Sequence, residues 1–240
     1  MEDTSITWFE LYDELRSKIK SGELRAEADL EKSTIASHAS DIDYRRAIDR
    51  LIDEGLLHKS SSDELTVSRV RARSRRSASF QEDYAAQGRS PTTRTIALTL
   101  VPLGDAPTFV QETLRDTACS MLMRHYHLQC VDGVPHALAD SYVPYELVGT
   151  KWKDIQTGNH DVFAVLSDLG MVVTEKQEKL YVDAPTLSER EQLGMLSMPG
   201  LQVVRLDCVV WSGDKIVEVC LLCDRADLYE FTYRVRTSGN

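Results

Sequence analysis

The sequence has no apolar run approaching the ~18 consecutive residues that a membrane-spanning helix needs. It opens on Glu2 and Asp3, where a secretory leader would carry positive charge, and no apolar stretch follows them. These absences lead us to expect a soluble cytoplasmic protein with no membrane partner. Cysteine is sparse and odd in number: Cys119, Cys130, Cys208, Cys220 and Cys223. A scattered, odd set is no secreted disulfide framework. Cys220 and Cys223 form a C-x-x-C inside the apolar run Val217–Cys223, but residues i and i+3 of a strand point to opposite faces. Buried thiols are therefore expected there rather than a metal or redox pair. A G-x-S-x-G elbow, a phosphate-binding glycine loop and paired metal-ligand histidines are also missing. His125-x-His127 is the nearest thing to a metal site, and it lacks an evident third ligand. The expectation is no enzyme, no cofactor and no metal.

Positive charge is in deficit too, with 28 Lys and Arg against 38 Asp and Glu, a net charge of −10. That balance is unfavourable for binding phosphates, but it is uneven along the chain. Residues 1–76 hold 14 basic and 16 acidic side chains, a net of −2, which leaves 14 and 22, a net of −8, for residues 77–240.

With 240 residues, 42% of them apolar, the chain is long enough for one large domain or two modest ones. Trp8, Leu11, Tyr12, Leu15 and Ile19 recur at helical spacing, and Ser21-Gly22 ends that helix. A shorter helix is read near Leu30–His38. A third spans about Asp41–Glu54, with Tyr44, Ala47, Ile48, Leu51 and Ile52 on one face and Gly55 as its stop. Leu56–Lys59 and Glu64–Ser68 then flank Ser60–Asp63 as two strands and a turn. Three helices and a hairpin in under 70 residues make the winged helix-turn-helix pattern. Arg69–Arg76, with five arginines, has the polarity of a linker.

From Phe80 onward strands dominate. Arg94–Pro102, with Ile96, Leu98 and Leu100 on one face, precedes two strands, Met121–Val131 and Pro135–Val143, around Asp132-Gly133. Helices are read at Asp161–Leu169 and Thr186–Met195, and a long strand at Met171–Asp183. Leu201–Trp211 and Lys215–Cys223 pair across Ser212-Gly213-Asp214, and Tyr229–Thr237 is a last strand. The fold class expected is α+β, with an antiparallel sheet in the second part.

Four segments in order carry a family resemblance: Phe80–Arg94, Val131–Pro135 with Ser141–Pro144, Glu218, and Arg225–Phe231. Over about 160 residues they resemble the UTRA sensor domain of GntR-type transcription regulators of the HutC branch, which has the chorismate lyase fold. Tyr12–Leu24 and Ser40–Leu57 resemble that family's first helix, recognition helix and exit. The resemblance implies a winged helix-turn-helix at 1–68, a basic linker at 69–78 and an effector-binding, dimerising domain at 79–240.

By the same resemblance Ser40, Asp41, Tyr44, Arg45 and Arg46 would face DNA from the recognition helix. Lys59 on the wing and Arg71 and Arg73 in the linker would add phosphate contacts. The alternatives are that Arg45 pairs with Asp41 and Asp49 along its own helix, and that the arginine run is only solvated. The effector contacts implied are Phe80, His127, Gln129, Tyr142, Glu218 and Tyr229. His125, His127 and Gln129 alternate and so share a strand face; against this, a histidine on a sheet face is also an ordinary core residue. Gln129 offers a neutral amide where many relatives carry arginine near this position, which suits a phosphorylated effector poorly. The function implied is a ligand-responsive repressor. It would act as a homodimer on a palindromic double-stranded DNA operator and be released by a small polar effector. A second reading, a winged helix that binds a protein instead of DNA, draws on the acidic balance, on Asp41 and Asp43, and on a wing tip of Ser60–Asp63 without glycine.

Overall fold

The computed structural model describes residues 6–21, 23–24, 39–54, 56–59, 65–67, 79–86, 88–156 and 162–229. They fall into two compact units. One comprises Met1–Arg73, Gly194–Gln202 and Ala226–Asn240, the other Ser74–Leu193 and Val203–Arg225.

In the first unit, helix α1 (Trp8–Ser21) buries Leu11, Leu15 and Ile19, spaced four apart. This stripe meets Ala47, Ile48 and Leu51 of α2 (Asp41–Asp53), with Leu57 and Val67 closing the core. Glu54, just past α2, ties the helices together. Its carboxylate accepts from the Tyr12 hydroxyl at 2.7 Å and lies 3.3 Å from Arg16 Nε. Strands β1 (Leu57–Lys59) and β2 (Leu65–Val67) pair antiparallel as the expected hairpin. Helix α2 is the expected third helix. The helix read at Leu30–His38, the turn at Ser60–Asp63 and the arginine run lie outside the described residues.

The second unit is built on a six-stranded antiparallel sheet in the order β3-β4-β5-β8-β7-β6. The strands are β3 (Pro91–Pro102), β4 (Met121–Val131), β5 (Val134–Pro144), β6 (Glu175–Asp183), β7 (Val203–Ser212) and β8 (Lys215–Arg225). β4 and β5 turn at Asp132-Gly133, where φ is 50° and 79°. Two successive positive φ angles are the mark of a tight hairpin, and Asp-Gly adopts them at little cost. The expected α+β fold with an antiparallel sheet is borne out.

Helices cover both faces. On one, Val110 and Leu114 of α4 (Thr108–Leu114) pack on Leu122, Tyr142 and Val219. Helix α8 (Leu187–Gln192) is held to that face by Arg205 and Glu189 at 2.8 Å. On the other face, α5 (Tyr145–Val148), α6 (Trp152–Gln156) and α7 (Val162–Asp168) bury Val148, Ile155 and Leu166 against Met123, Val143 and Val210. Helix α3 (Phe80–Ala85) packs Phe80 and Tyr84 on Val131.

Three departures from expectation have a local cause. β6 begins at Glu175 rather than Met171, because Met171 and Val173 pack into the α5–α7 cluster instead of the ladder. α8 stops at Gln192, two residues before Gly194, whose φ of 68° is left-handed. A bulge between Thr95 and Ala97 breaks the alternation of β3, so Ile96 parts from Leu98 and Leu100. The strand read at Tyr229–Thr237 lies, beyond its first residue, outside the described residues.

Candidate functional site

Strand β4 places His125, His127 and Gln129 at alternate positions, and the register carries their face across the sheet. Gln129 lies opposite Ala137, which lies opposite Asp224. His127 faces Ala139 and then Leu222, and His125 faces Ser141 and then Cys220. Three small side chains on β5 therefore lie between larger ones on β4 and β8. All of these residues are buried. The α5–α7 cluster covers one end of this face, at Met123 and Val143. Helix α3 borders the other end, where Gln81 Nε2 donates to Thr93 Oγ1 at 2.9 Å; Thr93 is the β3 partner of Gln129.

The polar atoms along β4 form a chain. The rings of His125 and His127 stack with centroids 4.2 Å apart. His127 Nδ1 is 3.3 Å from the His125 carbonyl oxygen, and Gln129 Nε2 is 3.4 Å from His127 Nε2. These contacts are all satisfied if Nδ1 of His127 carries the proton and its Nε2 accepts from the Gln129 amide. Gln129 Oε1 then points elsewhere. It is buried without a hydrogen-bond partner among the described residues, and so is His125 Nδ1. Burial lowers the His125 pKa to about 4 and that of His127 to about 3, the neighbouring ring adding to the second shift. Both imidazoles are neutral at pH 7.

Of the expected effector residues, His127, Gln129 and Glu218 share this face; Glu218 is buried opposite Val210 of β7. Phe80 sits in α3 with its ring 4.9 Å from Tyr84, whose hydroxyl is 3.4 Å from His136 Nδ1. Tyr142 lies on the opposite face, where its hydroxyl donates to Asp140 at 2.9 Å beside Arg124. Tyr229 is buried and belongs to the first unit. Sequence reasoning missed Thr95 and Asp224. Asp224 had a readable signal, a carboxylate ending the apolar run of β8. Thr95 had none, since the bulge that sets its register leaves no mark in the sequence.

In the first unit, Ser40 caps α2. Its hydroxyl accepts from Asp43 N at 3.1 Å and donates to the Asp43 carboxylate at 2.6 Å. Asp41 and Arg45 are exposed. No ion pair engages Arg45 among the described residues, so the expected alternative of pairing with Asp41 or Asp49 is not what the side chain does. Arg46 lies 4.3 Å from the Trp8 ring, a cation–π contact inside the unit. Tyr44 is half-buried against the core. Lys59 ends β1, paired with Leu65. Arg71 and Arg73 lie outside the described residues.

Residues 86–230 match the UTRA domain family. This chain belongs to that family. No curated protein matches it by sequence. Among solved structures it is similar to PhnF from Mycobacterium smegmatis, at 18% identity and a TM-score of 0.60, over 95% of this chain and 100% of that one. It is also similar to a GntR-family transcriptional regulator from Bacillus cereus, at 14% identity and 0.50, over 61% and 99%. A third is the C-terminal domain of the histidine utilization repressor from Pseudomonas syringae pv. tomato, at 16% and 0.50, over 62% and 100%. The resemblance to GntR-type regulators of the HutC branch is thereby borne out. Likenesses at these identities establish the fold, and the sensor sheet described above is that of the UTRA domain.

Proposed function

We infer that this UTRA-family chain is a ligand-responsive transcription regulator of the GntR type, acting as a repressor and not as an enzyme. The observation that carries the reading is the join of a UTRA sheet to a capped helix whose Arg45 is exposed and unpaired among the described residues. The working division is a winged helix-turn-helix at 1–68, a linker at 69–78 and a sensor at 79–240. Two copies joined through the sensor sheets would present two α2 helices to successive major grooves of a palindromic operator. In each copy Ser40, Tyr44 and Arg45 would lie at the DNA, with Lys59, Arg71 and Arg73 adding phosphate contacts. A small polar effector would bind on the His127–Gln129 face, bordered by Phe80 and its helix. Because α3 follows the linker directly, a ligand that favours one placement of α3 would shift the balance between DNA-competent and released arrangements. Such a regulator works in the cytoplasm.

Selection of a randomised duplex pool by the purified protein at low salt, followed by sequencing and fluorescence anisotropy, tests this. Enrichment of a palindromic site is the expected result. Folded protein that enriches no site would overturn the reading in favour of a winged helix that contacts a protein.

A further inference from the structure

The sensor sheet has two edge strands, β3 and β6. They are defended differently. β3 carries a proline at each end, Pro91 and Pro102, and a bulge between Thr95 and Ala97. Prolines and bulges discourage a second strand from adding to an edge. β6 has neither. Its nine residues pair with β7 in unbroken register, and its other edge meets no strand among the described residues. Exposed apolar side chains sit towards both ends: Val172 just before the strand, at 66%, and Leu180, Tyr181 and Val182, the last at 64%.

Charge is the remaining defence of an edge, and on β6 it cancels in one register. Directly opposed residues of an antiparallel pair share a face. A copy of β6 turned about a two-fold axis normal to the sheet therefore sets each residue against one of the same parity. With the axis at Gln177, Glu175 of each copy opposes Lys179 of the other, and Lys176 opposes Glu178. The same register brings Val172 beside Val182 and Thr174 beside Leu180. Moved one residue either way, the axis sets Lys176 or Glu178 against its own copy. At Lys179 it sets Glu175 against Asp183. Lys176 and Glu178 already pair at 3.1 Å within one strand, so the new attraction comes from Glu175 and Lys179. Both are exposed, Lys179 lying 5.8 Å from the Tyr181 ring, and no ion pair engages either among the described residues.

We propose that the free edge of β6 is the docking surface for a second copy of this chain, the two strands pairing antiparallel about Gln177 and joining the two sheets into one. The pairing satisfies backbone groups along the edge and covers the valines at its ends, and the alternating charges fix the register. The proposal rests on the reading of the chain as a dimer joined through its sensor sheets, and adds the strand and the register.

The dissociation constant of the full-length dimer, measured by sedimentation velocity, tests it. Lys179→Glu and Glu175→Lys each set like charges opposite one another at both symmetric positions, and should raise that constant about tenfold or more. The double variant restores opposite charges and should dimerise like the parent. Residues four apart on one strand are about 13 Å apart, so this rescue reads contact between copies rather than within one. Gln177→Cys, on the axis, should give a disulfide-linked dimer on mild oxidation, and Thr99→Cys on β3 should not. All four side chains are exposed, so the variants should fold like the parent. A dimer that neither charge reversal weakens, or that Thr99→Cys links instead, would place the joint elsewhere and overturn the proposal while leaving the dimeric reading intact. A double variant as weak as the singles would also overturn it. A parent protein that is monomeric at micromolar concentration would overturn both.

Discussion

The hydroxyl of Thr95 lies 2.9 Å from Nε2 of His125, a bond between the edge strand and a buried histidine already stacked on His127. The contact satisfies one ring nitrogen and leaves the other, Nδ1, without a partner among the described residues. The cost of desolvation dominates for a ring in that position, and the Asp140 carboxylate offsets only part of it. The pair is thus a neutral, polar element on the buried face of the sheet.

Its first consequence is a sensitivity to acid. The folded pKa values of about 4 and about 3 lie below the ordinary 6.5. Between those values and 6.5 the unfolded chain binds more protons than the folded one. Stability is therefore full above 6.5 and falls as pH drops towards 4. The slope approaches ~1.4 kcal/mol per pH unit for each histidine. Glu189 adds a second loss at lower pH. Hydrogen bonds and charge from Arg205 outweigh its burial and lower its pKa from 4.5 to about 2, so its contribution disappears as pH falls through that range. The melting temperature should decline between pH ~7 and ~5. Replacing both histidines with glutamine should flatten the decline, and an unchanged slope in that variant would locate the titrating groups elsewhere.

Arg205 holds α8 to the sheet through two parallel bonds to Glu189, at 2.8 and 3.0 Å, and a third to Asp183 at 2.9 Å. Glu189 also completes a capping box with Thr186. Arg205→Met should cost about 2 kcal/mol, because a half-buried carboxylate then loses its counter-charge. Glu189→Gln should cost less, since the amide still caps the helix. The double variant should cost less than the sum of the singles. Urea unfolding midpoints of the three variants measure this directly, and strict additivity would show that the groups do not act as a pair.

At the β4–β5 turn, Gly133 has φ of 79° and Asp132 of 50°. Asp132 is held there by accepting from Ser90 N at 2.9 Å and by an ion pair with Arg89. Gly133→Val should lower stability by about 1–2 kcal/mol through its disfavoured left-handed backbone. Chemical denaturation of that variant, compared with Gly88→Val as a second left-handed position, checks the figure.

The parts of the fold legible in the sequence are those whose pattern outlasts two turns or four strand residues. α1 showed its stripe in Leu11, Leu15 and Ile19, and the hairpins showed theirs in Asp132-Gly133 and Ser212-Gly213. α3, α4, α5 and α6 run from four to seven residues and were not foreseen, whereas α7 and α8, of seven and six residues, were read only as longer helices. At the site, alternation alone placed His125, His127 and Gln129 on one face. Their partners on β5 and β8 depend on register between strands some ten to a hundred residues apart, which no local pattern encodes. The same gap explains Tyr142. It resembles a site residue in sequence, yet its parity on β5 puts it with Asp140 and α4 on the other face.

The two arginines of α2 should separate by experiment. Arg45 is exposed, and no ion pair engages it among the described residues, whereas Arg46 is spent on the Trp8 ring at 4.3 Å. If α2 enters the major groove, Arg45→Ala should weaken operator binding by about 1–3 kcal/mol when the side chain reads a base. If it meets a phosphate instead, affinity should fall across all sequences and the salt slope should drop by about 1. Arg46→Ala should act mainly on stability, by about 0.5–1 kcal/mol, through the lost cation–π contact. Ser40→Ala should cost about 1 kcal/mol of stability through the missing cap, with DNA affinity falling only as far as α2 frays. Anisotropy titrations at two salt concentrations, alongside thermal denaturation of each variant, resolve the cases. Arg45→Ala with full operator affinity and an unchanged salt slope would remove this face of α2 from the DNA.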